Sequence, residues 1–349
     1  MMRFQQLVYG AILSLIIGWV LYIGRDVLIP IAFGAVAVYV VVGLAHVLSK
    51  IPSLGRILPA GVRYTLSGLA IASALLVVVH LVVANKDNAM ALAPQYQESL
   101  LATIQKIAVF FRIETEPTWA TLRREILSQI NIQRMIGSMV ASASSMIVGV
   151  VVVFLYAVFL LMELRSFSTK IANISANPRS AARVLGIIND INRRVGSYLA
   201  LKTFISIFLG VVSWAIMAFV GLEFAAFLAV LIAFLNYIPY IGSFLGVFLP
   251  VVMAIVQFHD PNMIFSVLLT LTIVQFLIGN FLDPYIMGNS LNLSPFAILV
   301  SLAVWSELWG IPGAFLAVPI AAIITIVFSE FSGTRPIAIL LSQDGRPWS

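Results

Sequence analysis

The chain has 349 residues, 61% of them hydrophobic and only 10% charged, with a mean hydropathy of +1.07. A soluble domain of this length carries about 25% charge, so the composition excludes one and predicts an all-α polytopic membrane protein whose helices satisfy their own backbone in lipid. The net charge of +6 fits Lys and Arg in cytoplasmic loops rather than a nucleic-acid partner, and the absence of cysteine excludes disulfides, thiol nucleophiles and Cys-ligated metals.

In chain order, the first apolar segment runs from Leu7 to Gly24. It lacks a small-x-small cleavage site and leads almost directly into a second apolar segment, so a retained helix is expected rather than a cleaved signal peptide. Further spans of about 20 residues are expected at 27–48, 64–84, 139–162 and 198–220. Residues 1–84 then form the N-terminal membrane helices and 139–162 the fourth span. Between them, 85–138 carries six Lys/Arg and five Asp/Glu and is expected to be an extracytoplasmic helical insert, amphipathic about the turn signal ETEP at 114–117.

Residues 163–202 carry seven Lys/Arg against two Asp/Glu, which makes 163–197 a basic cytoplasmic amphipathic loop. Within it Asn177 and Pro178 suit an N-cap and first helical position, and Val184, Ile188, Ile191, Val195 and Leu199 fall on one apolar stripe. Such a helix either lies along the inner membrane surface before turning into the next span, or is a solvated connector packed on the protein.

With the basic 163–202 region inside, counting spans backwards puts the insert outside, Lys50, Arg56 and Arg63 inside, and the N-terminus inside. All short basic regions then share one side, as the positive-inside rule requires. The charged tail at 332–349 returns to the cytoplasm, so both termini are expected there.

Residues 198–331 are read as the transport core. Its stretch 225–258 has 34 residues, about 51 Å as helix, too long for one crossing of a core about 30 Å thick and short for two. It is interrupted by NYIPYIGSFLG at 236–246, and 295–331 is interrupted by ELWGIPGAF at 307–315. Proline removes a backbone donor and clashes with the preceding turn, so both stretches are expected to be broken, re-entrant hairpins. One span, 263–282, separates them, which has them enter from opposite faces.

A weak repeat joins the two breaks: Ile238-Pro239 precedes Gly242-Ser243-Phe244-Leu245, and Ile311-Pro312 precedes Gly313-Ala314-Phe315-Leu316. Paired, Gly/Pro-interrupted segments are the best sequence pointer to a transporter's central site. About eight membrane segments result.

The motifs NYIPYIGSFLG, GNFLDPYIMGNSLNLSP and LWGIPGAFLAVPI, with the lead-in RVGSYLALK, resemble the C-terminal signature of the autoinducer-2 exporter family over roughly 193–331. The resemblance implies an oligomeric bacterial inner-membrane protein; members are associated with export of a small quorum-sensing furanone and, in some cases, with sodium or lithium for proton exchange. The chain departs from the family pattern in having Ile278 where relatives often carry an acidic residue before Gly279-Asn280, and Tyr285 where they often carry a basic one after Pro284. Ion coupling therefore does not follow from the resemblance alone.

Polar and turn-forming groups at membrane depth are the candidate site: Asn236, Pro239, Tyr240, Gly242, Gln275, Asn280, Asp283, Glu307 and Gly313. A charged group at a helix centre costs about 2.5–3.5 kcal/mol, so it is rarely there without a use. The bland readings are that Asp283 caps the end of its span, Glu307 sits at a hairpin tip, Asn236 caps a broken helix, and His46 and His80 pack at interfaces. Pro284 disfavours helical geometry at Asp283, so the span is expected to end or unwind there.

Nothing supplies an enzyme's machinery: the three His form no His-Glu-x-x-His pair, and no Gly-x-Ser-x-Gly elbow or Walker loop is present. No cofactor is expected. Two functions stand: a secondary transporter that exports a small polar molecule or exchanges monovalent cations for protons, and a passive channel or scaffold that binds a partner through its external insert. The expected partners are the lipid bilayer, the small polar solute or a monovalent cation and proton, and further copies of the chain.

Overall fold

The computed structural model describes residues 2–50, 58–84, 91, 95, 98–99, 105, 132–174, 177–287 and 291–346. Most of the predicted insert, with its ETEP turn, and the loop residues Lys50 and Arg56 lie wholly or partly outside what is described. Among the described residues the chain is all-helical save one isolated β-bridge between Leu293 and Ser342.

The helices are α1 (Met2–Ile23), α2 (Arg25–Lys50), α3 (Ala60–Ala84), α4 (Ile132–Ile174), α5 (Pro178–Val220), α6 (Ala225–Leu235) and α7 (Ile241–Phe258). They continue as α8 (Pro261–Leu277), a π-helical turn (Ile278–Leu282), α9 (Asp283–Met287), α10 (Pro295–Trp309), α11 (Ile311–Ser329) and α12 (Arg335–Leu341). Every expected span is helical, and among the described residues five helices are long and apolar enough to cross a membrane. Large apolar side chains such as Phe204, Ile207, Val211 and Trp214 stand exposed along one face of α5, as a lipid-facing surface requires.

The amphipathic 178–197 segment makes no turn into the next span. α5 is one unbroken helix of 43 residues, about 64 Å long. Its start is the expected one: Asn177 Oδ1 accepts the Arg179 backbone N–H at 3.0 Å, with Pro178 first in the helix. Its stripe is covered by protein. Val195, Tyr198 and Leu199 pack with Leu291, Leu293, Val318, Ala322 and Ile326, and Ile187 and Ile191 extend the contact. Val184, at the far end of the stripe, is exposed. Packing of the stripe on α11 removes the reason for it to lie in the membrane interface.

The chain forms two compact units. The first holds residues 1–71, 149–203 and 287–349. In it α10 and α11 pack as an antiparallel hairpin against α1 and α2. The Trp309 indole N–H donates to the Leu21 carbonyl at 2.9 Å, and the C-terminal segment brackets the hairpin's entrance, the Ser294 N–H donating to the Leu341 carbonyl and Gln343 N–H to that of Asn292. The second unit holds 72–148 and 204–286, with α6, α7 and α8 packed in sequence. There His259 meets Ser99 of the insert, Nε2 to Oγ, at 2.9 Å.

Candidate functional site

Both hairpins break where the sequence predicts, and each has one short arm. α6 with 11 residues and α10 with 15 reach about 16 and 22 Å, whereas α7 with 18 and α11 with 19 reach about 27 and 28 Å. In the second unit α6 ends at Leu235 because Asn236 to Tyr240 fold into successive tight turns. The Ile238 N–H donates to the Leu235 carbonyl at 2.8 Å, Ile241 N–H to that of Pro239 at 2.6 Å, and Gly242 N–H to that of Ile238 at 2.9 Å. Donors freed by the break thus find carbonyls within it, which is how a non-helical segment persists at membrane depth.

The Ile241-to-Pro239 bond closes a γ-turn centred on Tyr240, whose φ of 62° and ψ of −53° belong to the rare, strained form of that turn. Such backbone costs on the order of 1–3 kcal/mol and gathers at ligand clamps and switch regions. The Tyr240 side chain is 57% exposed.

Two polar pairs, one buried and one part-buried, flank this turn. Asn236, 7% exposed, donates from Nδ2 to Ser206 Oγ on α5 at 3.0 Å, and Ser206 is itself 2% exposed. Gln275 on α8 donates from Nε2 to Ser243 Oγ in the first turn of α7 at 3.1 Å. Gly242 sits between these pairs in the chain, and a Cβ there would collide with the Leu235 carbonyl oxygen. The structure therefore brings Asn236, Pro239, Tyr240, Gly242 and Gln275 to one break. Ser206 and Ser243 complete it and were missed, since a lone serine in an apolar run gives no signal above background.

Asn280 and Asp283 stand farther along the same rod, Asp283 about 12 Å beyond Gln275 along the axis. The expectation that the span ends or unwinds at Asp283 is corrected. Asp283 has helical φ −56° and ψ −54°, and the helix runs on to Met287. Pro284 is tolerated because the wide turn Ile278–Leu282 precedes it; the Asp283 N–H bonds to the Ile278 carbonyl, five residues back. Asn280 donates to the Phe276 carbonyl at 3.1 Å inside that turn and is otherwise exposed. Asp283 is half-buried.

In the first unit Glu307 is exposed on the last turns of α10. Gly310, with φ 66° and ψ −143°, makes the turn, and a Cβ on Gly313 would collide with the Trp305 carbonyl oxygen. The two breaks are thus built alike: a positive-φ residue directly before the second arm, then a glycine pressed on the first arm's backbone. Of the histidines, His46 and His80 are exposed and join neither break. Among the described residues no group of three His, Asp or Glu is placed to hold a metal.

A helical membrane protein in which buried amides and hydroxyls gather at an interrupted hairpin belongs by architecture with the polytopic transporters. The chain is a member of the AI-2E transporter family, whose model, an AI-2E family transporter, matches residues 11–333. The family likeness therefore extends well N-terminal of the 193–331 signature. A putative transport protein of Borreliella burgdorferi is 30% identical over 253 residues, covering 71% of this chain and 67% of that one. The AI-2 transport protein TqsA of Escherichia coli is 29% identical over 72% of each chain, and the putative transport protein YhhT of the same species 27% over 79% of this chain and 78% of its own.

Proposed function

We propose that the chain exports a small, hydroxylated polar solute by secondary active transport, and that the break at Asn236–Gly242 holds that solute. The observation that carries this reading is the double set of amide–hydroxyl pairs, Asn236 with Ser206 buried and Gln275 with Ser243 part-buried, at a strained backbone turn. Neutral donors and acceptors that already bond one another can exchange those bonds for bonds to solute hydroxyls at little net cost. TqsA, a relative named for AI-2 transport, supports a furanone-like solute.

In this reading Asp283, half-buried after the π-helical turn, carries the coupling proton, and alternating access follows from rearrangement of the two breaks. Glu307 and Gly313 serve the second break. The hairpins are re-entrant, the N- and C-termini cytoplasmic, and the chain assembles with copies of itself. A monovalent cation replaces the solute only if Asp283, rather than the amide pairs, forms the site.

Uptake of a hydroxyfuranone into proteoliposomes, with and without an imposed pH gradient, tests the proposal. Accumulation above equilibrium only with the gradient supports it; dissipative flux alone marks a channel, and no flux a scaffold.

A further inference from the structure

α7 carries two buried glycines, Gly242 and Gly246, one helical turn apart. Their surroundings differ. A Cβ on Gly242 would collide with the Leu235 carbonyl oxygen, so packing alone demands glycine there. A Cβ on Gly246 would find ordinary van der Waals distances, 3.6 and 3.7 Å to Cγ2 and Cγ1 of Ile232 on α6 and 3.8 Å to Oε1 of Gln275 on α8. Gly246 does not have a positive φ either. Neither packing nor backbone conformation therefore requires glycine at 246, although glycine inside a helix is a poorer choice than alanine. What the missing methyl leaves is a gap of about its own size, between Ile232 and the Gln275 amide.

That gap has an apolar wall and a polar one. Ile232 is 3% exposed and offers only methyl and methylene surface. Gln275 is 9% exposed and uses its amide N–H on Ser243 Oγ, while its Oε1 accepts no hydrogen bond among the described residues. An amide oxygen in so buried a side chain has little access to water, so a donor brought to it gains a bond that solvent does not supply. A hydroxyl entering the gap reaches the 2.7–2.8 Å of an O–H···O bond by a shift of about 1 Å toward Oε1. An ether or carboxylate oxygen gains nothing there, because two acceptors cannot bond each other.

We infer that Gly246 is a specificity-determining residue, whose missing side chain lets a solute hydroxyl reach Gln275 Oε1 and so selects solutes that carry an O–H donor. The inference rests on the transport reading above and deepens it, by naming the solute group that the Gln275 side of the break recognises.

The test uses the full-length protein in proteoliposomes with two labelled probes, a hydroxyfuranone and its methyl ether. Wild type is expected to prefer the hydroxyfuranone by at least about tenfold. Gly246→Ala, whose methyl the gap accommodates, should unfold in detergent at the wild-type temperature or above, raise the KM for the hydroxyfuranone at least about tenfold and move the two probes at nearly equal rates. A helix packing role alone would slow both probes and leave the preference intact, and that result would overturn the inference. So would a wild-type KM in Gly246→Ala, or a lowered unfolding temperature, which would show that the gap is not there. A wild type that moves the ether as fast as the hydroxyfuranone overturns it without any variant and leaves the export reading standing. A wild type that moves neither probe removes the export reading and this inference together.

Discussion

Gly242, in the first turn of α7, is pressed against the Leu235 carbonyl that ends α6, so closely that a Cβ would overlap the oxygen. Gly313 stands in the same relation to the Trp305 carbonyl in the second hairpin. Neither glycine has a positive φ; that conformation belongs to Tyr240 and Gly310. Close approach is therefore what each glycine supplies.

Gly242→Val and Gly313→Val should each force the two arms apart at an overpacking cost of roughly 1–3 kcal/mol. Transport should fall further than membrane insertion does, measured as uptake per folded protein against yield in the membrane fraction. Equal losses would make the glycines structural turns only.

Asn236 and Ser206 should be energetically coupled. Either single alanine variant leaves a buried partner unsatisfied at about 1–3 kcal/mol, whereas the double variant removes both groups. Denaturation in detergent micelles should therefore show the double variant losing less than the sum of the singles. Strict additivity would show that the bond contributes nothing to the native state.

Asp283→Asn removes a charge and one of its acceptor oxygens but keeps the shape. We expect it to abolish the pH dependence of transport with expression intact, and Glu307→Gln, exposed on the other hairpin, to have a smaller effect. A wild-type rate and pH profile in Asp283→Asn would reduce Asp283 to a helix residue.

The span limits and both breaks were legible in the sequence, because hydropathy and proline act locally and a membrane leaves the backbone few alternatives. Two features were not legible. The α5 stripe can satisfy itself on lipid or on protein, and only the position of Val318, Ala322 and Ile326 decides between them. The effect of Pro284 depends on a π-helical turn that shifts the obstructing carbonyl, and residue preferences do not announce such a turn.

Sidedness can be read chemically, since the native chain has no cysteine. Single cysteines at Ala102 in the insert and at Ala182, exposed near the start of α5, should react with impermeant reagents from opposite faces of intact cells and inverted vesicles. Labelling of both from the periplasmic side would overturn the assignment of the two segments to opposite faces.

The claim that the solute binds at the interrupted hairpin is tested most directly by protection. In a Ser243→Cys variant that retains transport, the thiol sits beside the Gln275 amide, where Ser243 Oγ now accepts its bond at 3.1 Å. Saturating hydroxyfuranone should slow reaction of that thiol with a small soluble maleimide by about tenfold or more, by excluding reagent from the occupied site. A reaction rate unchanged by solute, in a variant still transporting it, would place the binding site away from the break and contradict the account.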